Sequence, residues 1–288
     1  MLWAVYAIIS AFLVAMFRVV EKKTLMKEHA TEFSTVLCIT TVLVSIPLLF
    51  FIRISISLEM VFFVYVASLF WSIGFLLDTK ALRHMEISNF APLMNLHPIV
   101  VALIAFFALG EMLSFPQLLG LCFIAIGSYV LRFERHHKGP IYLIIKMIKS
   151  KYTVFVMISA MLFAFSSIMD KFNMNFMEPL FYMFLMQTFM ALNYVIIICV
   201  RYDGVKGIKH GFRSAGKWVL LAAIFLAMSR YFYALAVNIA YIALVVPIKK
   251  ISTLISTIVG GEIFHEHRIL QKIIACILMV IGAALILT

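Results

Sequence analysis

Residues 243–288, ALVVPIKKISTLISTIVGGEIFHEHRILQKIIACILMVIGAALILT, decide the fold. Lys249 and Lys250 stand inside an apolar run long enough to cross a bilayer, and a second such run closes the chain. The rest of the 288 residues repeats this texture: 65% are hydrophobic, only 13% are charged, and the mean hydropathy is +1.09. A soluble core cannot hide so many apolar side chains, so the composition belongs to a bilayer protein.

Ten apolar runs of about 18 to 23 residues, each enough to span roughly 30 Å at 1.5 Å per residue, are separated by polar breaks. They predict helices over 2–20, 33–52, 59–79, 87–110, 115–132, 152–172, 178–200, 217–238, 241–262 and 268–287. The fold class expected is all-α, because the backbone must satisfy its own hydrogen bonds in hydrocarbon and these runs lack the alternation of a membrane barrel. Helix 1 begins at Met1 with no basic region before it and no small-residue cleavage site before Arg18, and so reads as a retained span.

The net charge of +11 does not point to nucleic acid. All but six of the 24 Lys and Arg (the six being Arg18, Arg53, Lys171, Arg230, Lys249 and Lys250) fall in breaks 1–2, 3–4, 5–6, 7–8 and 9–10. By the positive-inside bias these breaks are cytoplasmic and both termini face out. Cys38, Cys122, Cys199 and Cys276 lie inside spans without metal-type spacing and read as small buried residues.

Within this pattern the chain repeats itself. Shifting the first half by about 155 residues lays Pro92 on Pro247, Glu111 on Glu266, Gly127 on Gly282, and VASLF at 66–70 on LAAIF at 221–225. A weaker match at an offset of about 149 puts Glu21-Lys22 on Asp170-Lys171. The expected organisation is a first five-helix repeat over 1–132, a basic linker over 133–151 carrying a short surface helix, and a second five-helix repeat over 152–288. Five is odd, so the second repeat enters from the opposite side, as in many secondary transporters, and a site is expected between the halves.

The unusual charges are candidates for that site. Arg18 lies near the end of helix 1 and reads as a snorkelling anchor. Arg230 and Lys249 each lie about 12 Å from the turn joining helices 8 and 9, at 1.5 Å per residue, and Lys250 follows. Cations left alone at that depth cost a few kcal/mol each and repel one another, so the economical reading is a polar cavity that receives an anionic group. Helices 8 and 9 hold no acid in their interiors; the best built-in partners are Asp78 and Asp170. Ser252, Thr253 and Ser256 extend a polar face from Lys249, which close packing of small residues would also explain. Helix 4, FAPLMNLHPIVV at 90–101, has Met94 and Asn95 where the lysines stand, and adds His97. Asn95 and His97 are read either as substrate or proton ligands or as a structural polar pair. Pro92, Pro98 and Pro247 are candidate kinks. Trp71, Tyr231, Tyr233 and Tyr241 read first as packing or interface aromatics. Glu111 and Glu266 read as caps or loop salt-bridge partners, and His265-Glu266-His267, with no further Cys or His nearby, makes a weak metal site. No cofactor is expected, and the sequence holds no nucleophile elbow, phosphate loop or catalytic carboxylate pair, so no enzyme is expected either.

These residues carry a resemblance. FFALGE at 106–111 and GEIFHE at 261–266 close two Pro-containing helices, and AIGSYVL and VIGAALI end the last helix of each half. Together with the ten spans they resemble EamA-type permeases of the drug/metabolite transporter superfamily. The resemblance implies export or exchange of small metabolites by alternating access, in an integral, multi-pass protein of a prokaryotic cell membrane. Some relatives place both termini in the cytosol, the reverse of the charge-based orientation. The Lys249-Lys250 pair is similar to the basic pair of sugar-phosphate/phosphate translocators. Those also carry a lysine in helix 4, where this chain has Met94, which argues against a sugar phosphate. Small multidrug pumps bind cations through an acid in helix 1, whereas residues 2–17 contain none.

The function expected is therefore permease action on a small anionic or carboxylate-bearing metabolite, with proton or counter-substrate coupling open. The alternatives are an amino-acid or other zwitterion exporter, whose cavity should add an acid or an aromatic cage, and a lipid-headgroup flippase or nontransporting scaffold.

Overall fold

The computed structural model describes residues 2–25, 29–47, 58–84, 94, 96–130, 150–201, 204–252, 255 and 269–287. Among these residues there are ten α-helices and no strand. They are α1 (Leu2–Leu25), α2 (Ala30–Ser45), α3 (Leu58–His84), α4 (Leu96–Leu109), α5 (Phe115–Val130), α6 (Lys151–Met174), α7 (Pro179–Arg201), α8 (Val205–Ile239), α9 (Ile242–Lys249) and α10 (Ile269–Leu287). Five of them, α1, α3, α6, α7 and α8, contain segments long and apolar enough to cross a membrane, and shorter apolar stretches lie in α2, α4, α5 and α10. The expected linker helix, apart from its last residues, lies outside the described residues, as do Glu266 and its flanking histidines.

α1 and α3 each run five residues past the expected end, and two further helices bear on the site. α8 begins at Val205, twelve residues earlier than the apolar run, because its basic first turns have something to pack on: Gly211 lies against Val36 of α2, where an added Cβ would meet the Val36 side chain at 2.8 Å. At 35 residues α8 is about 52 Å long and outruns a 30 Å hydrocarbon layer. In α9 the helix reaches Lys249, Lys250 makes a tight turn with its N–H on the carbonyl of Pro247, and Ile251 and Ser252 are again helical; the rest of the span expected to 262, apart from residue 255, lies outside the described residues. Pro247 has no amide hydrogen and crowds the carbonyl one turn back, at Ala243, so it loosens the helix just before the lysines, and the turn at Lys250 follows three residues later.

Packing follows a regular scheme. α1 packs on α8 and α3 on α6, α2 crosses α7, α4 meets α9, and α5 pairs with α10. A serine hydroxyl bridges each of the first two pairs: Ser10 donates to the Ser229 carbonyl at 2.7 Å, and Ser166 to the Ala67 carbonyl at 3.2 Å. In α2, Thr35, Thr40, Thr41 and Ser45 return their hydroxyls to the carbonyl one turn back, which satisfies these four hydroxyls in an apolar surround. α5 and α10 touch backbone to backbone. A Cβ on Gly120 would lie 2.5 Å from the Gly282 carbonyl oxygen, and one on Gly282 would lie 2.6 Å from that of Gly120. Gly120 also meets Ile286 while Gly282 meets Ile124, so one helix ascends as the other descends.

One core joins all of this, running through Phe17, Phe33, Phe75, Met186, Tyr194, Ala222, Tyr233 and Val245. Large apolar side chains also cover the outside, Phe107 of α4 being 82% exposed, as a lipid-facing surface requires.

The helix ends are tied by charge. At one end, Gly110 takes a left-handed φ of 67°, and the Glu111 N–H turns back to the Ala105 carbonyl. Both carboxylate oxygens of Glu111 then accept from the first amides of α9, Ile242 and Ala243, each at 3.0 Å. Lys171 donates to the last carbonyls of α8, those of Val237 at 2.6 Å and Ala240 at 3.0 Å. An anion sits on a helix start and a cation on a helix end, the polarity the helix dipole favours. At the other end, Arg83 meets His29 at 3.0 Å, His210 meets Glu32 at 3.0 Å, and the Lys23 ammonium lies 4.0 Å from the Trp218 ring centroid. Breaks 4–5, 6–7 and 8–9 thus share one end of the molecule, and breaks 1–2, 3–4 and 7–8 the other.

Candidate functional site

The turn at Lys250 places two adjacent lysines against two different helix groups. The Lys249 ammonium lies 4.2 Å from the ring centroid of Tyr233 on α8. Tyr233 in turn donates its hydroxyl to Asp170 of α6 at 3.3 Å, and Tyr182 of α7 donates to the other oxygen of the same carboxylate. Arg230, one turn before Tyr233, stacks its guanidinium 4.1 Å from the Trp71 ring centroid and reaches the Met190 sulfur at 3.1 Å. Arg230 and Lys249 are both within electrostatic reach of Asp170. An acid, two tyrosines, a tryptophan and two cations therefore meet between α3, α6, α7, α8 and α9.

Lys250 turns the other way. Its ammonium donates to the Met94 carbonyl at 3.2 Å and lies within electrostatic reach of Asp78 on α3 and of His97 on α4. Asp78 belongs to a second cluster, in which Arg18 Nη1 donates to Glu21 Oε2 at 2.6 Å and to Asp78 Oδ2 at 3.4 Å. Both acids are fully buried. Arg18 is thus drawn inward into an ion pair, not outward to the headgroups as the anchor reading expected. The Arg18–Glu21 spacing of three residues was the visible signal for this.

The two clusters are related by the sequence matches noted above. The 155-residue shift lays Asp78 on Tyr233 and Met94 on Lys249, and the 149-residue shift lays Glu21 on Asp170. One cluster is built from two acids and an arginine, the other from one acid and tyrosines.

Of the remaining candidates, Ser252 is buried next to the lysines. His97 stands edge-on to the Phe163 ring, centroids 6.3 Å apart, and its Nε2 has no hydrogen-bond partner among the described residues. Pro98 is the third described residue of α4 and has no amide hydrogen for the carbonyl of Met94, four residues back, which accepts from Lys250 instead. Asn95, Thr253, Ser256 and Pro92 lie outside the described side chains. Tyr241 is half exposed beyond the α8–α9 turn, away from the lysines. Among the described residues no group of His, Cys, Asp or Glu has the arrangement of a metal site.

Counted over the described residues of both clusters, Arg18, Arg230, Lys249 and Lys250 face Glu21, Asp78 and Asp170, four bases against three acids. The cations are therefore largely compensated by acids, Glu21 on the helix of Arg18 itself and Asp78 and Asp170 on other helices, and the excess is one positive charge.

Comparison with known proteins fits this architecture. Residues 1–133 match the profile of the EamA-like transporter family. A solved structure, described only as a crystal structure of a protein, superposes with a TM-score of 0.76 at 14% identity, over 98% of this chain and 95% of that one. That likeness concerns the fold. No curated protein matches the sequence. With its apolar helices, the chain is an integral, multi-pass membrane protein whose first half carries the sequence pattern of a membrane-transporter family of the drug/metabolite transporter superfamily.

Proposed function

We propose that the protein is a secondary transporter that moves a small carboxylate-bearing metabolite through a site between two inverted five-helix halves, by alternating access. The packing scheme supports the inverted repeat. Exchanging α1–α5 with α6–α10 turns α1·α8 into α6·α3 and leaves α2·α7, α4·α9 and α5·α10 as themselves. The antiparallel approach of Gly120 and Gly282 has the same sense.

The observation that carries the substrate class is the turn at Lys250, where Lys249 and Lys250 face one half each. A carboxylate held between them touches both halves at once, so its binding is sensitive to how the halves rock. Basic excess at the site suits one negative group. Arg230 supplies further charge beside Asp170, while Ser252, Thr253 and Ser256 follow the lysines in sequence, Asn95 and His97 follow Met94, the contact of Lys250, and all five would orient the ligand; Pro92, Pro98 and Pro247 would shape the helices that flank it.

A second reading has its own support. Asp170, with Tyr233, Tyr182 and Trp71, provides the acid and aromatic surround that a substrate ammonium needs, so an amino-acid-like zwitterion fits beside a simple carboxylate. Uptake into proteoliposomes of a panel of carboxylates, amino acids, phosphorylated metabolites and organic cations tests both. Saturable uptake confined to carboxylate-bearing members is expected, and uptake of organic cations alone would overturn the proposal.

A further inference from the structure

The Arg18–Glu21–Asp78 cluster has an imbalance that the lysine site does not explain. Two carboxylates with no exposed surface share one guanidinium, and each spends a single oxygen on it. Glu21 Oε1 and Asp78 Oδ1 are buried and have no hydrogen-bond partner among the described residues. A buried ionised carboxylate with an idle oxygen is costly, and two together repel each other as well. Among the described residues the other charged or titratable groups facing the pair are Lys250, beyond α9, and Tyr194 of α7, both within electrostatic reach of Asp78.

We propose that the Glu21–Asp78 pair holds one dissociable proton and is the site at which transport is coupled to protons. One proton from water adds to an idle carboxylate oxygen, giving one acid, one carboxylate and the arginine, a neutral set. The pair shares the proton, as closely coupled carboxyls do. The protein's own geometry then links proton to substrate. With Asp78 ionised, Lys250 is drawn to it; with the pair neutralised, Lys250 turns its charge to the substrate carboxylate. Proton and carboxylate therefore favour each other's binding and move in the same direction, and the proton returns to water on the far side. The repeat-equivalent Asp170 differs in kind, because Tyr182 and Tyr233 already donate to its two oxygens.

The proton site is a property of the protein alone; its coupling role rests on the transport reading. Infrared spectra of the full chain in lipid vesicles, titrated with pH in heavy and light water, read it directly. A titrating band of a protonated carboxyl is expected in the native chain, lost in both Asp78→Asn and Glu21→Gln and retained in Asp170→Asn. Arg18→Lys keeps the charge and should shift the titration without abolishing the band. No such band in the native chain, or a band that survives both Asp78→Asn and Glu21→Gln in folded protein, overturns the inference and leaves the transport reading standing. If the band is present but imposed proton gradients of either sign leave uptake of the carried carboxylate unchanged, the coupling role is overturned.

Discussion

The Lys249 ammonium rests on the face of Tyr233, 4.2 Å from its centroid, while the hydroxyl of the same ring donates to Asp170. One side chain thus links a candidate substrate cation on α9 to the buried acid of α6. The two functions of the ring are separable by mutation. Tyr233→Phe keeps the cation on an aromatic face and removes one donor from Asp170, whereas Tyr233→Leu removes both. A cation over a ring contributes about 0.5–2 kcal/mol, so Tyr233→Leu should weaken the apparent affinity for the carried substrate by roughly twofold to thirtyfold beyond Tyr233→Phe. Uptake kinetics of the two variants decide it, and equal affinities would remove the ring from the site.

Arg18 is expected to matter more for stability than its place near a helix end implies. Arg18→Gln leaves two buried carboxylates without their cation, and removing one partner of such a set costs about 3–5 kcal/mol. Adding Asp78→Asn should recover part of that loss, since it removes one of the stranded charges. Thermal unfolding in detergent of the single and double variants reads the coupling. Additive losses would mean that the ion pairs contribute little.

The latch at the opposite end offers a quieter test. Glu111→Ala strips two amides of α9 of their acceptor and should destabilise the protein by about 1–3 kcal/mol, the usual cost of orphaned buried donors. Glu111→Gln keeps one acceptor oxygen and should cost less. A melting temperature unchanged in Glu111→Ala would contradict the cap.

Much of this architecture was legible in the sequence, and the limits have physical causes. Apolar runs long enough for a bilayer leave the backbone no choice but helix, so the described ends of α5, α6, α7 and α10 fall close to expectation. The chain's own charge pattern also paired Asp78 and Asp170 with the intramembrane cations as the best acids available. What composition does not carry is packing between distant segments. α8 extends to Val205 because α2 receives Gly211, and Lys250 makes a turn within the expected span where it contacts Met94. The inward turn of Arg18 depends on Asp78, sixty residues away. That separation hid the second cluster, although Glu21 already matched Asp170 across the repeat.

The glycine contact of α5 with α10 predicts opposite outcomes for two similar changes. Gly282→Ala puts a Cβ about 2.6 Å from a backbone oxygen that cannot move without its helix, and overpacking of this kind costs about 1–3 kcal/mol. Gly216→Ala, inside α8 with open space around the added carbon, should stabilise the helix by up to about 1 kcal/mol. Melting temperatures that move in the same direction would contradict the packing described.

The central claim is that Lys249 and Lys250, at the end of α9, together hold the substrate carboxylate, one facing each half. It is tested most directly by initial uptake rates in proteoliposomes for the carried carboxylate, comparing the native chain with Lys249→Gln and Lys250→Gln at matched protein density. Loss of one buried charge-assisted contact, about 1.5–3 kcal/mol, predicts a fall of roughly tenfold to a hundredfold in uptake efficiency for each variant. Native rates in both variants would contradict it.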